Sequence, residues 1–278
     1  MHGSTQRKYS CLAVLLTLLT IIYCNAIQAQ AVQPLPQSQA AVAQTRVPDA
    51  DKDPVRVGLP EGLLGGTTPA AAPGQLIVIG FMGGNVNANN LIHREALVAK
   101  DLQQSNPKGV YAEVFANSDG QAALKAVLKL LDRNKDGDLT ASEKNAARVV
   151  IFGHSWGASE GITLARKLNE LSIPVLLTIQ VDSVQKLSED DSSIPPNVHE
   201  AINFYQTEGM LHGRNAIKAA DPKQTTILGN FQSSYKTSQV SVAAFPWYAR
   251  TFMKEHIEIE NDPLVWGKIE ALIQTEVK

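Results

Sequence analysis

Arg148 to Gly157 reads RVVIFGHSWG, an apolar, β-branched run that stops at a glycine and is followed by a serine held between two glycines. Immediately downstream, Ala158, Ile162, Ala165 and Leu168 recur at helical spacing. The stretch therefore reads as a buried strand, a sharp turn and a helix, with Gly153-His154-Ser155-Trp156-Gly157 at the turn. A serine lifted out of the sheet edge in this way needs small neighbours, because a side chain two residues before or after it would collide with adjacent backbone. Gly161 extends the run of small residues and lets the helix lie close to the sheet. Alone, G-x-S-x-G is as easily an ordinary strand-to-helix turn; in strand–turn–helix context it marks Ser155 as a candidate nucleophile.

On either side of this unit the same alternation continues. Strands are predicted at Leu76 to Gly80 (LIVIG), Val110 to Ala116 and Pro174 to Val181 (PVLLTIQV), with helices near Leu91 to Gln103, Gln121 to Leu131 and Ala158 to Leu171. Near-continuous apolar strands separated by helices predict an α/β fold, a mainly parallel sheet covered on both faces. Ligands of such sheets bind at the carboxyl ends of the strands. A further strand is read at Ala201 to Gln206 (AINFYQ), and a last helix is marked by Asp262 as N-cap and Pro263 at its first position.

A serine hydroxyl is a weak nucleophile at neutral pH, so the chemistry needs a base and donors for an oxyanion. The first strand runs into Gly80-Phe81-Met82-Gly83-Gly84, whose backbone N–H groups are candidates for the second task. The N–H of Phe81 is paired here with that of Trp156, with Met82 as the alternative to Phe81. A phosphate-binding loop is the competing reading, but the stretch has no G-x-G-x-x-G and no following lysine.

With GHSWG after a strand and IGFMGG at the first strand, the chain from about Gln75 onward resembles the lipase and esterase branch of the α/β-hydrolase superfamily. The resemblance implies a three-layer fold and a triad in the chain order serine, acid, histidine, with the histidine before the last helix. His199, His212 and His256 follow the nucleophile. His256, in KEHIEIENDP just before the last helix, matches the family's position for the base, and His212 in MLHGR is the alternative. Asp182, at the end of the TIQVD strand, is the expected acid; Glu208 or Asp221 would replace it if the acid came one strand later. The sequence departs from the family in carrying Ile79 where lipases often have histidine. It also lacks an obvious large insertion, so the lid is expected to be small or absent, which counts against long-chain triglycerides. The resemblance implies cleavage of a small-molecule or lipid carboxylic ester through an acyl-enzyme. A thioesterase, amidase or acyltransferase would use the same residues, and an inactive calcium-stabilised binding module is the reading from another class.

Asp132 to Glu143, DRNKDGDLTASE, fits the twelve-position EF-hand calcium loop. Asp132, Asn134 and Asp136 would offer side-chain oxygens, Asp138 its carbonyl, Thr140 a ligand through water and Glu143 both carboxylate oxygens. Gly137 stands at the sixth position, where the loop turns sharply. QAALKAVLKLL before the loop is a good helix, but the stretch after it is too short for a full one. An unpaired loop of this kind is expected to hold a structural Ca²⁺; a solvated acidic turn is the alternative. No organic cofactor is expected.

The 278 residues carry 25 Lys plus Arg against 27 Asp plus Glu, so no global field favours nucleic acid. Arg7 and Lys8 precede the apolar run CLAVLLTLLTIIYC at 11–24, and Ala29 and Ala31 offer a cleavage site. Residues 1–31 are therefore expected to be a cleavable signal, since a run of about 14 residues falls short of the roughly 20 that span a bilayer. Residues 32–74, rich in Ala, Pro and Gln, are expected to be a flexible linker, and 75–278 the hydrolase-like domain. A secreted or periplasmic location follows from the signal. Both cysteines, Cys11 and Cys24, lie in the segment to be removed, so no disulfide is expected.

Overall fold

A computed structural model describes residues 74–187, 189–237 and 239–277. The expected signal and, apart from Gly74, the expected linker lie outside the described residues.

Six apolar strands form one sheet in the order β2-β1-β3-β4-β6-β8, with every neighbouring pair parallel. They are β1 (Leu76–Met82), β2 (Val110–Ala116), β3 (Val149–His154), β4 (Val175–Val181), β6 (Val198–Tyr205) and β8 (Thr226–Gln232). Two short strands, β5 (Ser193–Ile194) and β7 (Lys218–Ala219), pair with each other beside it. The helices are α1 (Arg94–Ser105), α2 (Gly120–Leu131), α3 (Ala141–Asn145), α4 (Trp156–Glu170), α5 (Trp247–Phe252), α6 (Lys254–Asn261) and α7 (Pro263–Thr275).

Every residue of β1 and β3 is buried, which requires cover on both faces. On one face, Ile77, Ile79, Phe81 and Ile151 pack against Ala123, Val127 and Leu130 of α2 and Ile162, Ala165 and Leu168 of α4. On the other, α1 lies over β1 and β2, and Phe152 meets Trp266 of α7 edge to face with ring centroids 6.2 Å apart. Each fully buried aliphatic side chain contributes about 1.5–3 kcal/mol, so this double cover is the main source of stability. No helix is inserted between β4 and β8 among the described residues. The result is a three-layer α/β fold around a parallel six-stranded sheet.

From β1 the chain moves to β2 on one side and then to β3 on the other. The strand order therefore reverses between β1 and β3, and in sheets of this kind ligands bind at the carboxyl ends beside such a reversal. Three details differ from expectation. Strand β1 continues two residues past Gly80, because Phe81 and Met82 pair with β2 and Phe81 also with β3. The segment KEHIEIENDP contains a helix, α6, whose residues 256–260 are all buried. Strand β8 escaped the reading because it is a half-exposed sheet edge interrupted by Gly229.

Candidate active site

Ser155 sits between β3 and α4 with φ 55° and ψ −125°, a strained backbone for a residue with a side chain. The neighbouring glycines show why the strain is tolerated. A Cβ on Gly153 would lie 2.6 Å from the Gly157 carbonyl carbon, and one on Gly157 would lie 2.3 Å from the Phe81 oxygen. The elbow is clamped from β4: the Ser155 N–H donates to the Val181 carbonyl at 3.0 Å, and the Val184 N–H donates to the Ser155 carbonyl at 3.2 Å. These two bonds bracket Asp182 and bring the ends of β3 and β4 together.

Asp182 turns at φ 42° and is fully buried. Its Oδ1 accepts the N–H groups of Gly213 (2.8 Å) and Gln206 (3.2 Å), and its Oδ2 accepts the Gln206 side-chain amide (2.8 Å). His256 Nδ1 meets Oδ2 at 2.6 Å. Burial alone would raise the Asp182 pKa, but the His256 hydrogen bond and charge, with the Gln206 and Gly213 donors, hold it below the usual aspartate range. The residue is a preorganised carboxylate that fixes one imidazole nitrogen and leaves His256 Nε2 for another partner.

The alternatives are placed elsewhere. His212 Nδ1 lies 3.3 Å from the adjoining Gly213 carbonyl. Glu208 accepts from Ser234 and Tyr235, and Asp221 from Lys223 and Gln224. Ser155 Oγ itself makes no hydrogen bond to His256 among the described residues. Catalytic contacts of this kind are often long in an unliganded site and tighten around substrate.

The donor expected from Phe81 is corrected by the strand register. Ile77 N–H donates to Arg148 on the β3 side and Leu76 N–H to Gly109 on the β2 side, each at 2.8 Å. Donors therefore alternate, which aims the Phe81 N–H into the β3 ladder and the Met82 N–H into the β2 ladder. The Gly83 N–H is accepted by Glu95 Oε1 at 3.3 Å. Gly84, at φ 54°, offers the first N–H after the strand that makes no hydrogen bond among the described residues. Gly83 brings this loop against the elbow, for a Cβ on it would lie 3.2 Å from the Ser155 Cβ. The Trp156 N–H, at the first position of α4, has no acceptor within its helix. These two donors are the better candidates for an oxyanion.

Sequence reasoning missed a buried group behind the elbow. His93, Glu95 and Glu260 offer ligand atoms within 4.8 Å of one another, and all three are buried. His93 Nδ1 touches Glu260 Oε1. His154 Nδ1 lies 3.6 Å from Glu260 Oε2, and its ring sits on that of His256 with centroids 4.4 Å apart. Burial pushes His154 down to about 4, and burial with the charge of Glu260 pushes Glu95 up. The one available signal was the buried alternation HIEIE, in which acids share a segment with isoleucine.

No protein-family model matches the chain, and no curated protein matches it in sequence. Among solved structures, it is similar to RedJ with a polyethylene glycol molecule in its active site, at 12% identity and TM-score 0.40, covering 86% of this chain and 99% of that one. An acetylxylan esterase matches at 10% identity and TM-score 0.36, covering 74% and 100%. A dienelactone hydrolase-like promiscuous phosphotriesterase from metagenomic libraries matches at 13% identity and TM-score 0.35, covering 74% and 89%.

In the loop at 132–143, Lys135 (φ 59°) and Gly137 (φ 89°) curl the backbone. Asp132 Oδ2 accepts the Gly137 N–H at 3.0 Å, Asn134 Oδ1 the Asp136 N–H at 3.1 Å, and Asp136 Oδ1 the Asp138 N–H at 2.9 Å. Thr140 and Glu143 form a capping box at the start of α3. The Thr140 N–H and hydroxyl, with the Arg133 N–H, hold the Glu143 carboxyl down to about 2. Asp132 Oδ1 is buried with no hydrogen-bond partner. An orphaned carboxylate oxygen in an all-oxygen loop fits a hard cation such as Ca²⁺.

Proposed function

We propose that this chain is an exported serine hydrolase of carboxylic esters, with Ser155 as nucleophile, His256 as general base and Asp182 as its orienting acid. The observation that carries the reading is the buried Asp182–His256 hydrogen bond beside a strained Ser155 elbow. Ser155 Oγ attacks the ester carbonyl carbon as its proton passes to His256 Nε2. The N–H groups of Trp156 and Gly84 receive the oxyanion of the tetrahedral intermediate. Collapse of the intermediate breaks the bond to the alcohol, which leaves with the proton from His256. Water, deprotonated in turn by His256, attacks the acyl-enzyme and releases the acid and Ser155. Asp182 stays ionised throughout and stabilises the imidazolium. The loop at 132–143 would hold Ca²⁺ through Asp132, Asn134, Asp136, Asp138, Thr140 and Glu143, bracing the end of α2 against the approach to β3.

The test is hydrolysis of a p-nitrophenyl acyl ester series from acetate to decanoate. Wild type should turn over a member of the series, and Ser155→Ala should lower that rate by about 10³-fold or more. Equal rates for the two proteins would reject the assignment and favour a binding role for the scaffold.

A further inference from the structure

We infer that His93, Glu95, Glu260 and His154 form a binding site for one buried divalent transition-metal cation, with Zn²⁺ the ion that suits the donor set. The inference does not depend on Ser155 chemistry, and the site is separate from the loop at 132–143.

His154 Nε2 lies 3.1 Å from the His256 carbonyl oxygen, which can only accept, so Nε2 carries the proton. In that neutral tautomer Nδ1 presents a lone pair, and it is buried with no hydrogen-bond partner. It faces Glu260 Oε2 at 3.6 Å, where two electron-rich atoms oppose each other without a proton between them. Glu95 repeats the problem. Its Oε1 accepts the Gly83 N–H, whereas its Oε2 is buried with no hydrogen-bond partner. A proton shared between His93 Nδ1 and Glu260 Oε1 satisfies that pair alone and leaves both orphans. Leaving a buried polar atom unpaired is costly, and both orphans belong to groups that adjoin Glu260.

A divalent cation held by His93, Glu95 and Glu260 would also give His154 Nδ1, beside Glu260, a partner. Two carboxylates balance its charge, and two imidazoles with two carboxylates are donors that zinc accepts. The ligand atoms of His93, Glu95 and Glu260 lie within 4.8 Å of one another. A tetrahedral zinc shell has edges of about 3.4 Å, so side-chain shifts of about 1 Å bring these three into one shell, and His154 Nδ1 adjoins it through its 3.6 Å approach to Glu260 Oε2. The outer contacts also have the form metal ligands need. His154 donates its other ring nitrogen to a backbone carbonyl, and Glu95 is held by a backbone N–H. The ligands come from the start of α1, from α6 and from the elbow. Glu260 lies one helical turn after His256 on α6, so the cation would fix the helix that carries the proposed base.

The experiment uses untagged full-length protein in calcium-containing buffer, with metal content by mass spectrometry and Co²⁺ uptake after removal of transition metals. Wild type should hold about one equivalent of Zn²⁺, and the stripped protein should take up one Co²⁺ with visible ligand-field bands. His93→Ala and Glu260→Gln should lose that binding, while Asp132→Ala should keep it. Folding of each variant is checked by circular dichroism. A folded wild type that carries no Zn²⁺ and takes up no Co²⁺ would overturn the inference whatever the variants do. So would binding that survives in folded His93→Ala and Glu260→Gln, or that is lost only in Asp132→Ala.

Discussion

Ser155 and Asp182 both adopt positive φ, and each is held there by glycines that leave no room for a Cβ: Gly157 against Phe81 and Gly213 against Asp182. Strain of this kind persists only when its surroundings fix it, and here they also aim the side chains. Asp182→Asn keeps the shape but presents the wrong tautomer to His256, so kcat for an ester should fall by about 10⁴-fold with little change in KM. Steady-state kinetics at saturating ester checks this. A second prediction concerns Glu113, which burial pushes up to about 7 while Tyr111 donates to it at 2.5 Å. Between about 4.5 and 7 the folded chain keeps a proton that the unfolded chain releases. This contribution to stability therefore falls as pH rises through that window, by about 3 kcal/mol in all. Urea unfolding at pH 5 and pH 8 should show the drop, and Glu113→Gln should reduce it; an identical drop in the variant would contradict the assignment. Ser155 and Asp182 were legible because each is fixed by a strand end, a local feature. The Phe81 error arose because the direction of an N–H depends on register with β2 and β3, which a single strand does not reveal.

At the scale of elements, the elbow and the acidic loop make opposite demands. The elbow requires the absence of side chains: Gly157→Ala would drive a Cβ to 2.3 Å from the Phe81 oxygen. It should lower stability by about 2 kcal/mol or more, measured by urea unfolding, and abolish the proposed ester hydrolysis even where the protein remains folded. The loop is proposed to take an added ion. Calcium at 100 times its Kd should stabilise wild type by about 2.7 kcal/mol, a rise in Tm of roughly 5–10 °C for a domain of this size. Differential scanning fluorimetry with calcium and with chelator should show that rise, and Asp132→Ala with Glu143→Gln should remove it. Helix α4 was readable from apolar periodicity beside a strand. Helix α6 was not, because buried Glu258 and Glu260 break the amphipathic pattern and their burial depends on His93, Glu95 and the chain near Val240.

For the whole molecule, the parallel sheet was legible because its central strands are apolar on both faces, leaving helical cover as the only arrangement that keeps them dry. The exposed edge at β8 and the small β5-β7 pair carry no such signal, since their pairing depends on long-range placement. The near cancellation of 25 basic and 27 acidic residues gives substrate no long-range steering. Hydrolysis of a neutral ester should therefore change by less than about twofold between 20 mM and 500 mM salt, a comparison made by initial rates. Ser155 as an activated nucleophile is tested by labelling with a fluorophosphonate probe, followed by mapping of the modified peptide. Stoichiometric modification of Ser155 is expected, lost in Ser155→Ala and strongly slowed in His256→Ala. An unlabelled, folded, calcium-loaded protein, or a label on another residue that survives Ser155→Ala, would contradict it.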